Sequence, residues 1–283
     1  MNRWLPLLAL LLMLTACRTA PPAQTPIAAG NPTLTVVTLN LYHDKDDWSK
    51  RRTQIAQTVQ ELQPDVIALQ EVLQHETLPN QAQWLAQELG YHGYFISVDT
   101  EDKARRYGNA LLTRQPVLAR GQQRLNPLED SRTAGFVRIK LQGQAVNVYV
   151  THLHHTVEGK SLRARQINDL MAFLHASSEG LPSLVVGDFN TPADAPELDR
   201  LREEFSDSFG TLHPQATPEA ASTLNPAYFP VPERIDHVFY QRGRFQPLSA
   251  QLLFSQPDAQ GKWASDHRGL SVTLRVQPTS QGH

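Results

Sequence analysis

From residue 33 to residue 276 the chain is a succession of apolar, β-branched runs of strand length, separated by few stretches of helical periodicity. Several of the runs close on an acid, an amide or an imidazole. This pattern constrains the fold more than any other feature. TLTVVTLNL (33–41) and DVIALQEV (65–72) read as buried strands. Between them, residues 48–62 place Trp48, Ile55, Val59 and Leu62 on one helical face, and Pro64-Asp65 ends that helix. NQAQWLAQELG (80–90) is a helix closed by Gly90. Strands are predicted at 91–98, 108–114, 116–124, 133–141 and 144–153. A helix follows over 161–176, with Leu162, Ile167, Leu170 and Leu174 toward the core. SLVVGDFNTP (183–192) carries a strand over 184–190. A short helix near 195–205, a looser region over 206–232 and strands at 234–241, 246–255 and 269–276 complete the chain. Many strands and few helices, in two halves with no visible repeat or linker after residue 33, predict one α/β domain. Two stacked sheets would be covered by outer helices.

Polar groups at the ends of buried strands are costly unless they are paired. Asp188 and Asn190 stand two apart, so a strand would point both the same way and Phe189 the other. Gly187 would let the backbone approach closely. The other strand-end groups are Asn40, Gln70-Glu71, Thr151-His152-Leu153, Arg234-Ile235-Asp236-His237 and Ser265-Asp266-His267. Singly, each has an ordinary role as turn former, helix cap or satisfied core residue. Together they form a set of hard oxygen donors (Glu71, Asp188 and Asp266, with Asn40 and Asn190) joined by two histidines. Such a set favours Mg²⁺ or Mn²⁺ over zinc. An ion of that kind polarises a phosphoryl oxygen and neutralises developing charge. A rival comes from His152-Leu153-His154-His155, where a His-x-His pair would suit a zinc hydrolase. It lacks further ligands at the usual spacing and has no cysteine to recruit. The plainer reading makes His154 and His155 loop residues over the cleft.

Composition excludes one class of partner. Lys and Arg number 26 against 28 Asp and Glu, a formal net charge of −2, so a broad basic footprint for duplex nucleic acid is absent. Local clusters remain at Lys103, Arg105, Arg106 and Arg132. The first residues, MNRWLPLLALLLMLTAC, place Arg3 before an apolar run too short for a comfortable membrane span. The run ends in Leu14-Thr15-Ala16-Cys17, which resembles the lipobox of bacterial lipoproteins. Cys17 is the only cysteine, so no intrachain disulfide forms. The expected organisation is a signal peptide over 1–16, lipidated Cys17 with a Pro- and Ala-rich tether over 17–32, and a catalytic domain over 33–278. Arg18, in place of the Asp associated with inner-membrane retention, points to the outer membrane, with the domain facing the periplasm.

The ordered set TLN, LQEV, YGNALLTR, THL, GDFN, RIDHV and SDH resembles the endonuclease/exonuclease/phosphatase superfamily along nearly the whole mature domain. The resemblance implies a four-layer α/β/β/α sandwich with two mixed sheets inside. It implies that Glu71 holds a Mg²⁺ or Mn²⁺ ion, with Asn40 and Asp266 beside it. Asp188 would orient and deprotonate the attacking water, and Asn190 and His267 would contact the phosphoryl oxygens. Asp236 would be the carboxylate partner of His267, and His152 would stand on the leaving-group or phosphate side. Asn109 and Arg132 are the candidate substrate contacts. Arg163 and Gln166 lie on the helix after THL in an RxxQ spacing. The expected activity is metal-dependent hydrolysis of a phosphodiester, nucleic acid included, by in-line attack of water. Alternatives are a phosphomonoesterase, a sphingomyelinase-like lipid phosphodiesterase using the apolar stretch 224–232, and a non-enzymatic binding lipoprotein. A monomer attached to the membrane only through its lipid is expected.

Overall fold

The computed structural model describes Met1 and residues 31–278. The signal segment, Cys17 and the tether as far as residue 30 lie outside the described residues. The chain runs β1 (Thr33–Asn40), α1 (Trp48–Leu62), β2 (Val66–Gln74), α2 (Gln81–Leu89), β3 (His92–Ser97), β4 (Arg106–Thr113), β5 (Ala119–Arg124), β6 (Thr133–Leu141), β7 (Gln144–His152), α3 (Lys160–Ser177) and β8 (Ser183–Asp188). It continues through α4 (Asp199–Arg202), β9 (Phe205–Asp207), α5 (Ser208–Leu212), α6 (Pro218–Ala221), β10 (Asp236–Gln241), β11 (Phe245–Leu253) and β12 (Gly269–Val276).

The strands form two six-stranded sheets, ordered β11-β12-β1-β2-β4-β3 and β5-β6-β7-β8-β10-β9. Each is mixed. β1 and β2 are parallel across α1, as β7 and β8 are across α3, and the other pairings are antiparallel. Strand alternation then sorts the side chains into layers. Leu34 and Val36 of β1, Val148 and Val150 of β7, Leu184 and Val186 of β8, and Val238 of β10 share one core between the sheets. The intervening Val37 and Leu39 pack outward with Ile55, Val59 and Leu85 of α1 and α2. Tyr149, Val185, Phe189 and Phe239 pack outward with Ile167 and Leu170 of α3. This is the four-layer sandwich that the sequence resemblance implies.

Two stretches differ from expectation. The region 206–232 is not loose at its start: β9 pairs with β10, and α5 begins at Ser208 under an Asp207 side-chain cap. A three-residue strand and a five-residue helix are too short to show periodicity. β8 ends at Asp188 and not at residue 190. Asn190 takes a left-handed φ of 52°, and its backbone N–H turns back to Asp188 Oδ1 at 2.9 Å. Asp188 and Asn190 are therefore brought together by a turn and not by strand alternation.

Candidate active site

The inter-sheet parity that carries the core also carries the polar strand ends. Asn40 continues Leu34 and Val36, His152 continues Val148 and Val150, Asp188 continues Leu184 and Val186, and Asp236 precedes Val238 and Tyr240. At one end of the sandwich the apolar seam thus gives way to acids, amides and imidazoles. Register places Asp188 opposite His152 in the parallel pair and opposite Asp236 in the antiparallel one. Gly187 makes this possible. Its φ is 137°, and a Cβ there would lie 2.0 Å from the Thr151 carbonyl oxygen.

Glu71 reaches the same face by another route. Strict alternation would send it outward with Leu69. Leu69 pairs with Ala110 and Val72 with Gly108, so Gln70 and Glu71 both face Asn109 in a bulge. The φ of Glu71 is 56°. The bulge turns the carboxylate, and its Oε2 lies 2.9 Å from His43 Nε2.

The polar groups interlock. Asn40 Nδ2 donates to Asp188 Oδ2 at 3.0 Å, and His152 Nε2 lies 3.5 Å from the same oxygen. His267 Nδ1 is 2.8 Å from Asp236 Oδ2. Asn190 Nδ2 donates to the Leu153 carbonyl at 3.0 Å, leaving its second N–H for other partners. Asn109 is buried, with Nδ2 donating to Thr133 O and Oγ1. Arg132 Nη2 lies 3.3 Å from His155 Nδ1, and its buried Nε, without a hydrogen-bond partner, is 3.7 Å from Asp130 Oδ2. Ser265 Oγ donates to the Asn40 carbonyl at 2.6 Å, tying the SDH loop to β1.

Electrostatics separate the two histidines. Burial lowers the pKa of His152, the Arg132 charge lowers it further, and Asp188 and Glu71 only partly compensate, leaving it at about 4. His152 is neutral at pH 7. Burial works against protonated His267 too, but the charge and hydrogen bond of Asp236, with Asp188 and Asp266, raise it to about 10. It is an imidazolium at pH 7. Burial pushes the Asp188 carboxyl up, partly offset by His152, and the Asp236 charge pushes it further. Burial also raises Glu71, but the His43 hydrogen bond and the charges of His152, His43 and His267 outweigh it and bring the group to about 2. Asp266 rises to about 6 through burial and the nearby Glu71 charge, against the opposing His267.

Ligand atoms of Asp188, Asp236 and His267 lie within 4.8 Å of one another, and Asp236 Oδ1 is buried without a hydrogen-bond partner. Because His267 is already held by Asp236, carboxylate oxygens are the donors left for an ion. Glu71 and Asp266, the residues expected to hold it, border this triad and repel each other. A crowded set of carboxylates with a free buried oxygen fits a hard divalent cation. His154 does not join it. Its Nδ1 is 2.9 Å from Asp130 Oδ1 and its Nε2 is 2.8 Å from Thr156 Oγ1, which leaves the His-x-His zinc reading without its second ligand.

Residues 37–267 match the model of the "Endonuclease/Exonuclease/phosphatase family". The chain belongs to this family. No curated protein is significantly similar to it in sequence. Among solved structures, a D. rerio TDP2 humanized by 14 mutations superposes with a TM-score of 0.72 at 18% identity, over 86% of this chain and 99% of that one. The human Nocturnin catalytic domain with bound sulfate gives 0.70 at 22%, over 87% and 94%. The endonuclease/exonuclease/phosphatase from Bacteroides vulgatus gives 0.69 at 18%, over 87% and 99%. At these identities the likeness establishes the shared fold. This family member has a fold of phosphoesterases and a buried Asp/Asp/His cluster where its two sheets meet.

Sequence reasoning missed several residues around the site. His43 sits in LYHDKDD, where no periodicity marks it. Its ring stacks on Tyr107, with centroids 5.1 Å apart. Phe229 approaches the His267 ring edge-on at 6.1 Å. Arg51 did leave a signal, because it lies three residues after Trp48 and four before Ile55, on the apolar face of α1. It is fully buried and donates to the carbonyls of Leu41, Tyr42, His43, Lys45 and Ala264.

Proposed function

We propose that the protein is a Mg²⁺- or Mn²⁺-dependent phosphodiesterase, attached to the outer membrane through lipidated Cys17 with its catalytic domain in the periplasm. The observation that carries the reading is the Asp188–Asp236–His267 cluster at the end of the inter-sheet seam, with Asn40 and His152 on Asp188. Phosphoryl transfer needs positioning and charge neutralisation more than covalent chemistry. Asp188, whose basicity is raised by burial, orients the attacking water and accepts its proton. Asp236 holds the Nδ1–H of His267, so that Nε2–H of the imidazolium is presented to a phosphoryl oxygen. The free N–H of Asn190 supplies a neutral donor to the same group, and Asn109, whose amide N–H groups are held by Thr133, lines the cleft beside it. Neutral His152 stands beside Asp188 on the leaving-group side, and Arg132 contributes positive charge from the adjoining wall. Glu71, with Asn40 and Asp266, would hold the divalent ion, which polarises a phosphoryl oxygen and offsets developing negative charge when bound.

The direct test is turnover of bis(p-nitrophenyl) phosphate with Mg²⁺ or Mn²⁺, abolished by chelator and restored by either ion. Absence of ion-dependent turnover overturns the reading. Hydrolysis in ¹⁸O-water places the label in the phosphoryl product if water attacks phosphorus. A panel of single-stranded DNA, RNA, sphingomyelin, phosphoinositides and sugar phosphates identifies the ester. TDP2, which shares the fold, has been captured with a single strand DNA product, so nucleic acid ends head that panel. Anchoring is tested by palmitate labelling. The label, and the membrane fraction with it, should be lost in Cys17→Ser.

A further inference from the structure

The turn after GDFN is held from outside the cluster, and the groups that hold it reach a second loop of the site. Thr191 follows Asn190 and is buried. Its carbonyl accepts from His237 Nε2 at 2.9 Å, and His237 Nδ1 accepts from Arg234 Nη1 at 2.7 Å. The Thr191 hydroxyl donates to Glu197 Oε1 at 2.9 Å. The same Glu197 oxygen takes Nε and Nη2 of Arg163 at 3.1 and 2.9 Å. Arg163 also donates to the carbonyls of His154 and Thr156 at 3.2 and 2.6 Å. That stretch directly follows His152. Both members of the ion pair are 3% exposed. The chain of contacts therefore runs from Asn190–Thr191 through Glu197 and Arg163 to His154–Thr156, and its middle members, Thr191, Glu197 and Arg163, are buried.

We infer that Thr191 and the buried Glu197–Arg163 pair form a strut that sets the loop bearing Asn190 against the loop following His152. Thr191, Glu197 and Arg163 are positioning residues, and none need touch substrate. Beyond the backbone bond from Leu153 N–H to the Asp188 carbonyl at 2.9 Å, the side-chain hydrogen bond that joins the two loops directly is Asn190 Nδ2 to the Leu153 carbonyl at 3.0 Å. A single hydrogen bond contributes only about 1 kcal/mol net, which is little to fix a donor beside the reacting phosphoryl group. The charge-assisted bonds of the buried pair are stronger and directional. They leave Thr191 one position through its hydroxyl, while His237 fixes its carbonyl. The consequence for activity rests on the proposed hydrolase function. The consequence for the two loops does not.

The test is Thr191→Val, which keeps the shape and deletes the hydroxyl, beside Thr191→Ser, which keeps the hydroxyl. Backbone hydrogen exchange is followed by mass spectrometry over peptides covering 152–157 and 188–192. Thr191→Val should speed exchange in both peptides, although the hydrogen bonds of Thr191 go to Glu197 and His237 and to no residue of the first, and Thr191→Ser should restore protection. In turnover, Thr191→Val should lower kcat roughly 10- to 100-fold, as misplacement of a positioned group does, with KM held within about twofold. Faster exchange confined to 188–192, or unchanged kcat, overturns the strut. Should Thr191→Val not fold, Glu197→Gln, which keeps an acceptor but removes the charge facing Arg163, is read by the same two measurements. A wild-type protein without turnover would refute the hydrolase function and leave the exchange result to decide the strut.

Discussion

The two parallel β-α-β units, β1-α1-β2 and β7-α3-β8, make the most informative comparison in the molecule. Each sends its first strand to the site, at Asn40 in one and His152 in the other, and each follows it with a helix. In each helix the fourth residue is a buried arginine, Arg51 in WSKR and Arg163 in KSLR. Both guanidinium groups reach back to carbonyls of the loop that joins strand to helix. They differ in what neutralises them. Arg51 is held by five carbonyls and no carboxylate, and the cost of its burial draws its pKa down from the ordinary arginine value. Arg163 is paired with Glu197, and through it with Thr191. The first unit therefore uses its arginine to gather backbone around the acidic side of the site, where Glu71 and Asp266 would hold the ion. The second uses an ion pair to join two loops that handle water and phosphoryl group.

The largest expected effect separates the units by chemistry. Glu71→Gln and Asp188→Ala should each lower turnover roughly 10³-fold or more. Glu71→Gln should recover when Mn²⁺ is raised, because what it loses is ion affinity. Asp188→Ala should not, because what it loses is the group that handles water. Equal recovery, measured as kcat against Mn²⁺ concentration, would erase the distinction between the units. Next in size are the arginines. Arg163→Met leaves the buried Glu197 charge without its counter-charge and should cost roughly 3–5 kcal/mol in urea unfolding. Adding Glu197→Leu should return more than half of that loss, since an apolar pair can replace a buried ion pair. Arg51→Met strands carbonyls that no second side-chain substitution can remove, so no comparable partner exists. If the Arg163 and Glu197 effects simply add, the pair is not a unit.

Much of this was legible before any coordinates. The bounds of α1 and β12 agree with the sequence pattern to the residue, because long amphipathic or alternating runs report their own burial. The strand-end acids and imidazoles converge as expected, since parity is a property of sequence. What could not be read was whatever breaks parity. The bulge that turns Glu71 inward and the left-handed turn at Asn190 both depend on backbone angles that no periodicity encodes. Nothing in the sequence singles out Glu197 or Thr191, and only the packing of α3 against the turn brings them to Arg163. The likeness of the two units was equally hidden. It consists of one arginine at one helical position, with no stretch of similar sequence around it.

The smallest effect concerns a group of the second unit's sheet with no counterpart in the first. His237 is fully buried beneath the GDFN turn. Burial and the neighbouring Arg234 hold its pKa at about 4, below the ordinary 6.5, against the opposing Asp207. The unfolded chain therefore binds the proton first as pH falls. Stability rises with pH across this window, is lost between about 6.5 and about 4, and loses nothing more from this group below that. At roughly 1.36 kcal/mol per pH unit the loss comes to about 3 kcal/mol. The reason is geometric: Nε2 donates to Thr191, Nδ1 must accept from Arg234, and protonating Nδ1 sets two donors face to face. Buried His267 behaves in the opposite sense, its contribution being full below 6.5 and lost as pH rises through about 10. His152, shifted to about 4 as well, adds a slope of the same sign, so urea unfolding of chelator-treated protein between pH 4 and 7 should show a steep slope that becomes shallower, but does not vanish, in His237→Gln. An unchanged slope in that variant would mean that the acid sensitivity lies elsewhere and that His237 does not hold the turn as a neutral imidazole.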